Sequence, residues 1–253
     1  DIKRKSIMNI DEKIKEKIVL ALDVEELDEV KTLVDSLYPY VGTFKVGLQL
    51  YTKYGSEVID YISSKNSNFF LDVKLHDIPN TVEKASENVV LKGANFFNVH
   101  ATGGLAMMEA AVRGAKKAAD KLNKKPPVIL AVTMLTSISQ EVMNNEFEID
   151  ADVSNFAIRL AKLAKKAGMT GVVASSLEAR KIKEACGADF KVLCPGIRPE
   201  WSLKDDQKRV ATPKFAINEG ADYLVIGRAV TKPIEGLAPL DAMKKIYDEI
   251  GEI

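Results

Sequence analysis

Cysteine and histidine are scarce in this chain, two of each in 253 residues. The thiols, Cys186 and Cys194, do not form a C-x-x-C pair, and with two histidines they make a poor set for a metal centre. They read as reduced thiols in or near the core of a cytoplasmic protein. No apolar run approaches the ~20 residues of a membrane span, and no signal-peptide-like run precedes the first strand candidate. An excess of either charge is missing too. The 36 lysines and arginines balance 36 aspartates and glutamates, so no overall field attracts nucleic acid or an anionic membrane. Any anion site has to be local. Two phosphate fingerprints are also absent. Leu22 runs into Asp23-Val24-Glu25 where a doubly wound sheet would carry G-x-G-x-x-G, and no G-K-[ST] follows Gly103-Gly104, which reads as a helix-start turn.

What is present is regular alternation. Short apolar runs at 18–22, 43–46, 69–73, 95–99, 128–132, 171–174, 191–194 and 223–226 predict strands. Amphipathic stretches at 25–36, 54–63, 82–92, 105–122, 153–167, 177–185 and 213–219 predict helices between them. Parallel strands need crossover helices, so the pattern implies a parallel sheet. Eight such units in a chain of this length predict an α/β fold, a single (β/α)₈ TIM barrel. A helix at 11–17 is expected to cap its floor. No linker or low-complexity tract divides the chain, so residues 1–253 read as one domain, with polar residues 1–7 as a tag remnant or a disordered extension.

Barrel enzymes build their sites where strands run into the following loops. Six of the eight strand ends carry an ionisable side chain: Asp23, Lys45, Asp72 with Lys74, His100, Arg198 and Arg228. The most informative stretch is Asn-Phe-Phe-Leu-Asp-Val-Lys-Leu-His-Asp at 68–77. The strand period of two puts Asp72 and Lys74 on one face, and Asp77 follows in a loop. Charges at the end of a buried strand are costly unless paired or used. Lys45, in Thr-Phe-Lys-Val-Gly, supplies a further cation for an array of alternating sign in which each ion keeps its neighbours charged. Pro-Gly-Ile-Arg (195–198) and Ile-Gly-Arg (226–228) end the last two strands, where such barrels bind phosphate through backbone amides and an arginine fork. The polar stretch 198–212 between them, with Trp201, Asp205, Asp206 and Gln207, is long enough to act as a lid. His76 reads equally as a surface or a site residue, His100 as a hydrogen-bonding support, and Asn80 with Glu83 as a capping box.

These blocks resemble orotidine 5′-phosphate decarboxylase in its compact bacterial form. Leu-Asp-Val-Lys-Leu-His-Asp-Ile-Pro-Asn-Thr (71–81) is similar to the family's D-x-K-x-x-D signature. Leu-Ala-Leu-Asp (20–23), Phe-Lys-Val-Gly (44–47), Val-Thr-Met-Leu-Thr-Ser (132–137), Pro-Gly-Ile-Arg-Pro (195–199), Asp-Gln-Lys-Arg-Val (206–210) and Ile-Gly-Arg (226–228) follow in the family's order. The resemblance implies decarboxylation of orotidine 5′-phosphate to uridine 5′-phosphate in pyrimidine synthesis, with no metal and no organic cofactor. It implies Lys74 as proton donor to carbon 6, Asp72 facing the departing carboxylate, and Lys45 and Asp77 completing the array. Asp77, Ile78 and Thr81 would act in trans across a homodimer. Asp23 and Lys45 would hold ribose hydroxyls, Thr136 the pyrimidine edge, and Gln207, Gly227 and Arg228 the phosphate, with Arg198 beside the lid. Two rivals stand beside this reading. One is a magnesium-dependent phosphosugar decarboxylase or aldolase-type synthase of the same superfamily, whose glutamate ligand is here Lys45. The other is a non-catalytic phosphate-binding barrel.

Overall fold

Each predicted strand has its apolar residues at alternate positions on two faces, and both faces are buried, as a parallel sheet wrapped by helices requires. The structure, a computed structural model, describes residues 10–202, 211–234 and 236–251. Its eight strands are β1 (Ile18–Ala21), β2 (Thr43–Gly47), β3 (Asn68–Leu75), β4 (Phe96–His100), β5 (Val128–Val132), β6 (Gly171–Val173), β7 (Lys191–Ile197) and β8 (Tyr223–Ile226). All neighbours are parallel, they follow chain order, and β8 pairs back onto β1. The closed barrel expected from the alternation is what the chain forms.

The helices are α1 (Glu12–Lys17), α2 (Leu27–Leu37), α3 (Leu48–Tyr54), α4 (Ser56–Ser64), α5 (Pro79–Leu91), α6 (Gly104–Lys121), α7 (Gln140–Asn145), α8 (Val153–Lys166), α9 (Ser176–Cys186), α10 (Pro213–Asn218), α11 (Arg228–Thr231) and α12 (Pro239–Gly251). Asp11 caps α1, accepting from the Lys13 and Ile14 amides. That helix lies under the barrel floor, where a Cβ on Gly42, just ahead of β2, would collide with the Lys15 carbonyl. The helix expected at 54–63 is α4, starting after Gly55, whose φ of +57° suits glycine and separates it from the preceding α3. The capping box expected from Asn80 and Glu83 does not form. Pro79 opens α5, which places Asn80 inside the first turn and Ile78, whose side chain has no acceptor, at the cap. Glu83 pairs with Arg113 of α6 instead, at 3.1 Å. Helices α3, α7, α11 and α12 were not expected from the pattern.

Two apolar layers result. Ile18, Leu20, Phe44, Val46, Phe69, Leu71, Phe97 and Val99 face the helices in the larger core. Val19, Ala21, Phe70, Phe96, Leu130, Leu193 and Val225 form a separate cluster. Phe96 of β4 meets Tyr223 of β8 edge-on at 5.1 Å, and those strands lie on opposite sides of the ring, so this second cluster fills the barrel itself. Burying each of its large side chains contributes about 1.5–3 kcal/mol. One pleat further along the same inward rows, Phe70 gives way to Asp72 and Lys74, Phe96 to Asn98 and His100, and Val225 to Gly227. The floor of the barrel is apolar and its mouth is charged.

Candidate active site

The charged array is assembled by strand register. Lys45 on β2 is level with Ala21 of β1, and Gly47 is level with Asp72 of β3. Asp72 sits at the centre. Its Oδ2 lies 3.2 Å from the Lys45 ammonium, and its Oδ1 lies 2.7 Å from the Lys74 ammonium. Lys45 in turn lies 3.3 Å from Asp23 Oδ1. The order Asp23–Lys45–Asp72–Lys74 therefore alternates in sign, and Lys45 and Asp72 are buried. Burial alone pushes the Asp72 carboxyl up, but the two ammoniums and the hydrogen bonds from Lys74 and Asn98 outweigh it and hold the group below its ordinary range. Gly47 makes the crowding possible, since a Cβ there would sit 3.2 Å from the Lys45 ammonium.

Lys74 has φ +50°. Of the four described non-glycine residues at positive φ, it is the one inside a strand, since Asn66, Asn123 and Glu148 lie outside the helices and strands. Strand β3 runs two residues past its expected end, and its pairing with β4 shifts register between Leu71 and Leu75. Such an irregularity re-aims a side chain at a barrel rim. Across the gap stands Asn98, 1% exposed. Its Oδ1 accepts from the Lys74 amide at 2.8 Å, and its Nδ2 donates to Asp72 Oδ1 at 2.7 Å.

The opposite wall is built by β7 and β8. Strand β7 also runs past its expected end, to Ile197, with a second register shift after Cys194. Gly196 adopts φ +72° in that shift. The Arg198 amide donates to the Ala211 carbonyl at 3.0 Å, which ties together the two ends of the expected lid. Gln207 lies outside the described residues, as do Asp205 and Asp206. Gly227 brings β8 against β1, where a Cβ would stand 3.9 Å from Asp23 Oδ2, so the two walls meet at Asp23.

A cavity of about 340 Å³ opens between these walls. That is the size of a small-molecule site. Asp23, Lys45, Asp72, Lys74, Thr136, Arg198, Gly227 and Arg228 all line it, so the structure brings together eight of the residues expected from the sequence. Asp77, Ile78 and Thr81 are exposed and do not line it. His76 and His100 do not line it either. Their rings pack 5.5 Å apart, and half-burial together with repulsion from His76 and Lys74 holds the His100 imidazole below its usual range. Sequence reasoning missed Asn98, although its signal was there: a polar residue at the centre of Phe-Phe-Asn-Val-His, in phase with the inward Phe96.

Chemically, one wall offers fixed ammonium groups beside a fixed carboxylate, and the other offers arginine and glycine backbone suited to an anion. Residues 16–238 match the family model of the orotidine 5′-phosphate decarboxylase / HUMPS family. The chain is 45% identical over 236 residues to orotidine 5′-phosphate decarboxylase of Moorella thermoacetica, covering 93% of this chain and 92% of that protein. It is 44% identical to the Syntrophomonas wolfei protein of the same name, covering 94% and 98%. Among solved structures, orotidine 5′-phosphate decarboxylase from Lactobacillus acidophilus superposes with a TM-score of 0.80 at 35% identity, over 92% of this chain and 98% of that one.

Proposed function

Because this chain belongs to the orotidine 5′-phosphate decarboxylase family, we propose a role for each side chain of its barrel mouth in the family's reaction. The protein converts orotidine 5′-phosphate to uridine 5′-phosphate and carbon dioxide. The bond from carbon 6 to the carboxylate breaks, its electron pair stays on carbon 6, and a proton replaces the lost group. Lys74 is the proton donor. Its ammonium is held by Asp72 at 2.7 Å, ready beside the developing anion without solvent reorganisation. Asp72 faces the departing carboxylate and pairs with both lysines. Asp23 and Lys45 take the ribose hydroxyls, and Thr136 takes the pyrimidine edge. The phosphate is held by Gly227, Arg228 and Gln207, with Arg198 at the base of the lid. An unassisted carbanion at an sp² carbon faces a very high barrier, and the stabilisation needed is on the order of 20 kcal/mol. Binding energy from the distant phosphate helps supply it.

The observation that carries this reading is the alternating chain Asp23–Lys45–Asp72–Lys74 in the wall of a cavity that also holds Arg228. It also disfavours the magnesium-dependent rival, because a divalent ion bound at Asp72 would lie beside two ammoniums. The test is the ultraviolet change of orotidine 5′-phosphate on adding the protein. The spectrum is expected to shift to that of the uridine nucleotide at the same rate with and without EDTA. A folded protein that leaves the spectrum unchanged defeats the decarboxylase reading. Activity lost with EDTA and restored by magnesium defeats the cofactor-free mechanism.

We further propose a homodimer in which Asp77, Ile78 and Thr81 complete the partner's site. The support is that all three are exposed and outside their own cavity, with the apolar Ile78 side chain 67% exposed. Mixing inactive Lys74→Ala and Asp77→Ala proteins is expected to restore part of the activity, since a hybrid dimer contains one intact site. Continued inactivity of a verified hybrid would sink the shared site. A cytoplasmic location is proposed as well, supported by two buried cysteines that stay unpaired.

A further inference from the structure

We propose that Asn98 is the positioning residue that aims the Lys74 ammonium, by holding the lysine's backbone and its carboxylate partner with one amide. The inference rests on the reading of Lys74 as proton donor.

The left-handed region is unfavourable for any residue with a Cβ, so something must hold Lys74 at φ +50°. The sheet does not, because the regular pairing of β3 with β4 lapses between Leu71 and Leu75. The Lys74 amide instead donates to Asn98 Oδ1 at 2.8 Å. The other end of the same amide donates to Asp72 Oδ1 at 2.7 Å, and that oxygen also receives the Lys74 ammonium at 2.7 Å. The orientation of the Asn98 side chain is thereby fixed. A backbone N–H can only donate and an ionised carboxylate can only accept, so the oxygen must face Lys74 and the nitrogen must face Asp72. The planar amide thus sets the spacing between the start of the lysine side chain and the carboxylate on which its end rests.

The position demands this residue type. Asn98 is 1% exposed, level with Leu130 of β5, and can relax neither into solvent nor onto a polar neighbour on that side. A leucine would leave the Lys74 amide without its partner and remove one of the two donors on Asp72 Oδ1. An aspartate would set a second anion against Asp72. The groups facing position 98 are Asp72 and Lys74 from β3, with Lys45 of β2 behind Asp72, and His100 two residues on along β4. Strand β5 presents apolar Leu130 and Val132.

Two variants test the assignment, with thermal melting to establish that each is folded. Asn98→Ala is expected to lower kcat by about 10²-fold, the scale of loss when a reacting group moves by about 1 Å. Asn98 lines the cavity, but the groups proposed to hold the nucleotide there, Asp23, Lys45, Thr136, Gly227 and Arg228, are unaltered, so KM for orotidine 5′-phosphate should stay within about threefold. Asn98→Asp is expected to be slow at neutral pH and to recover as the pH falls. Two carboxyls sharing one site raise the affinity for a proton, and the protonated pair again offers one donor and one acceptor. The unsubstituted protein should show no such gain on the acid side. A folded Asn98→Ala protein with kcat within about threefold of the original overturns the proposal, since a misaimed donor cannot keep its rate. So does an Asn98→Asp profile that tracks the original, and this profile decides alone if the alanine variant does not fold. Failure of the unsubstituted protein to turn over the nucleotide would instead defeat the decarboxylase reading on which the proposal stands.

Discussion

Replacing Lys74 by alanine is expected to lower turnover of orotidine 5′-phosphate by at least about 10⁴-fold. Two losses multiply: positioned proton donation, typically 10²–10⁴-fold, and a fixed charge beside a developing anion, about 10²–10³-fold. Binding should survive. The arginine and glycine wall at Gly227 and Arg228 is unaltered, and Asp72 keeps Lys45 at 3.2 Å and Asn98 at 2.7 Å as partners. Nucleotide affinity is therefore expected to change by less than about tenfold, less than the kinetic loss by several decades. Single-turnover kinetics and titration with uridine 5′-phosphate measure the two separately. A variant that turns over near the original rate would remove Lys74 from the mechanism, and one that no longer binds nucleotide would make it a binding residue.

Asp72→Ala is expected to damage both stability and rate. It removes the anion from between two ammoniums, Lys45 and Lys74, at a site 8% exposed. Stripping one partner from a buried pair costs about 3–5 kcal/mol. Lys45 retains Asp23 at 3.3 Å, which puts the expected cost near the lower end, about 3 kcal/mol. For a chain of this size that lowers Tm by roughly 6–12 °C. The loss should depend on pH with a definite sign. The Asp72 carboxyl is held below its ordinary value of 3.8, so its contribution is present above that pH and is lost as the pH falls through the lowered folded value. The Tm difference between the two proteins should therefore be full at pH 7 and shrink once the pH drops below 3.8. The rate should also fall, by about 10²-fold or more, because Lys74 loses the carboxylate that holds it. A variant as stable and as fast as the original would make the array incidental.

The barrel was legible in the sequence because strand and helix periods are local. Runs such as Val128–Val132 are apolar without interruption and bounded by turns, and the strand falls on those residues. The misses have local causes too. The short α3 ahead of Gly55 carries too few residues to show a helical period, and Pro79 starts a helix without the capping box that Asn80 and Glu83 suggest. Strands β3 and β7 each extend past their apolar stretch because register shifts carry Lys74 into one and Pro195 and Gly196 into the other, and hydrophobicity cannot mark such an extension.

For the site the division is similar. Which side chains stand at the barrel mouth can be read along the chain, because the strand period of two and the strand ends are one-dimensional properties. Asp72, Lys74, Lys45 and Arg228 all follow from them. Which of these touch depends on how the strands pair in space. Register between β2 and β3 puts Lys45 on the far oxygen of Asp72, and the lapse between β3 and β4 leaves Lys74 to a side-chain amide. The same packing leaves Asp77, Ile78 and Thr81 facing outward, away from their own cavity. Asn98 belongs wholly to this second kind. Its identity is ordinary in a strand, and its importance lies in two hydrogen bonds to residues 26 and 24 positions away, which no pattern along the chain can encode.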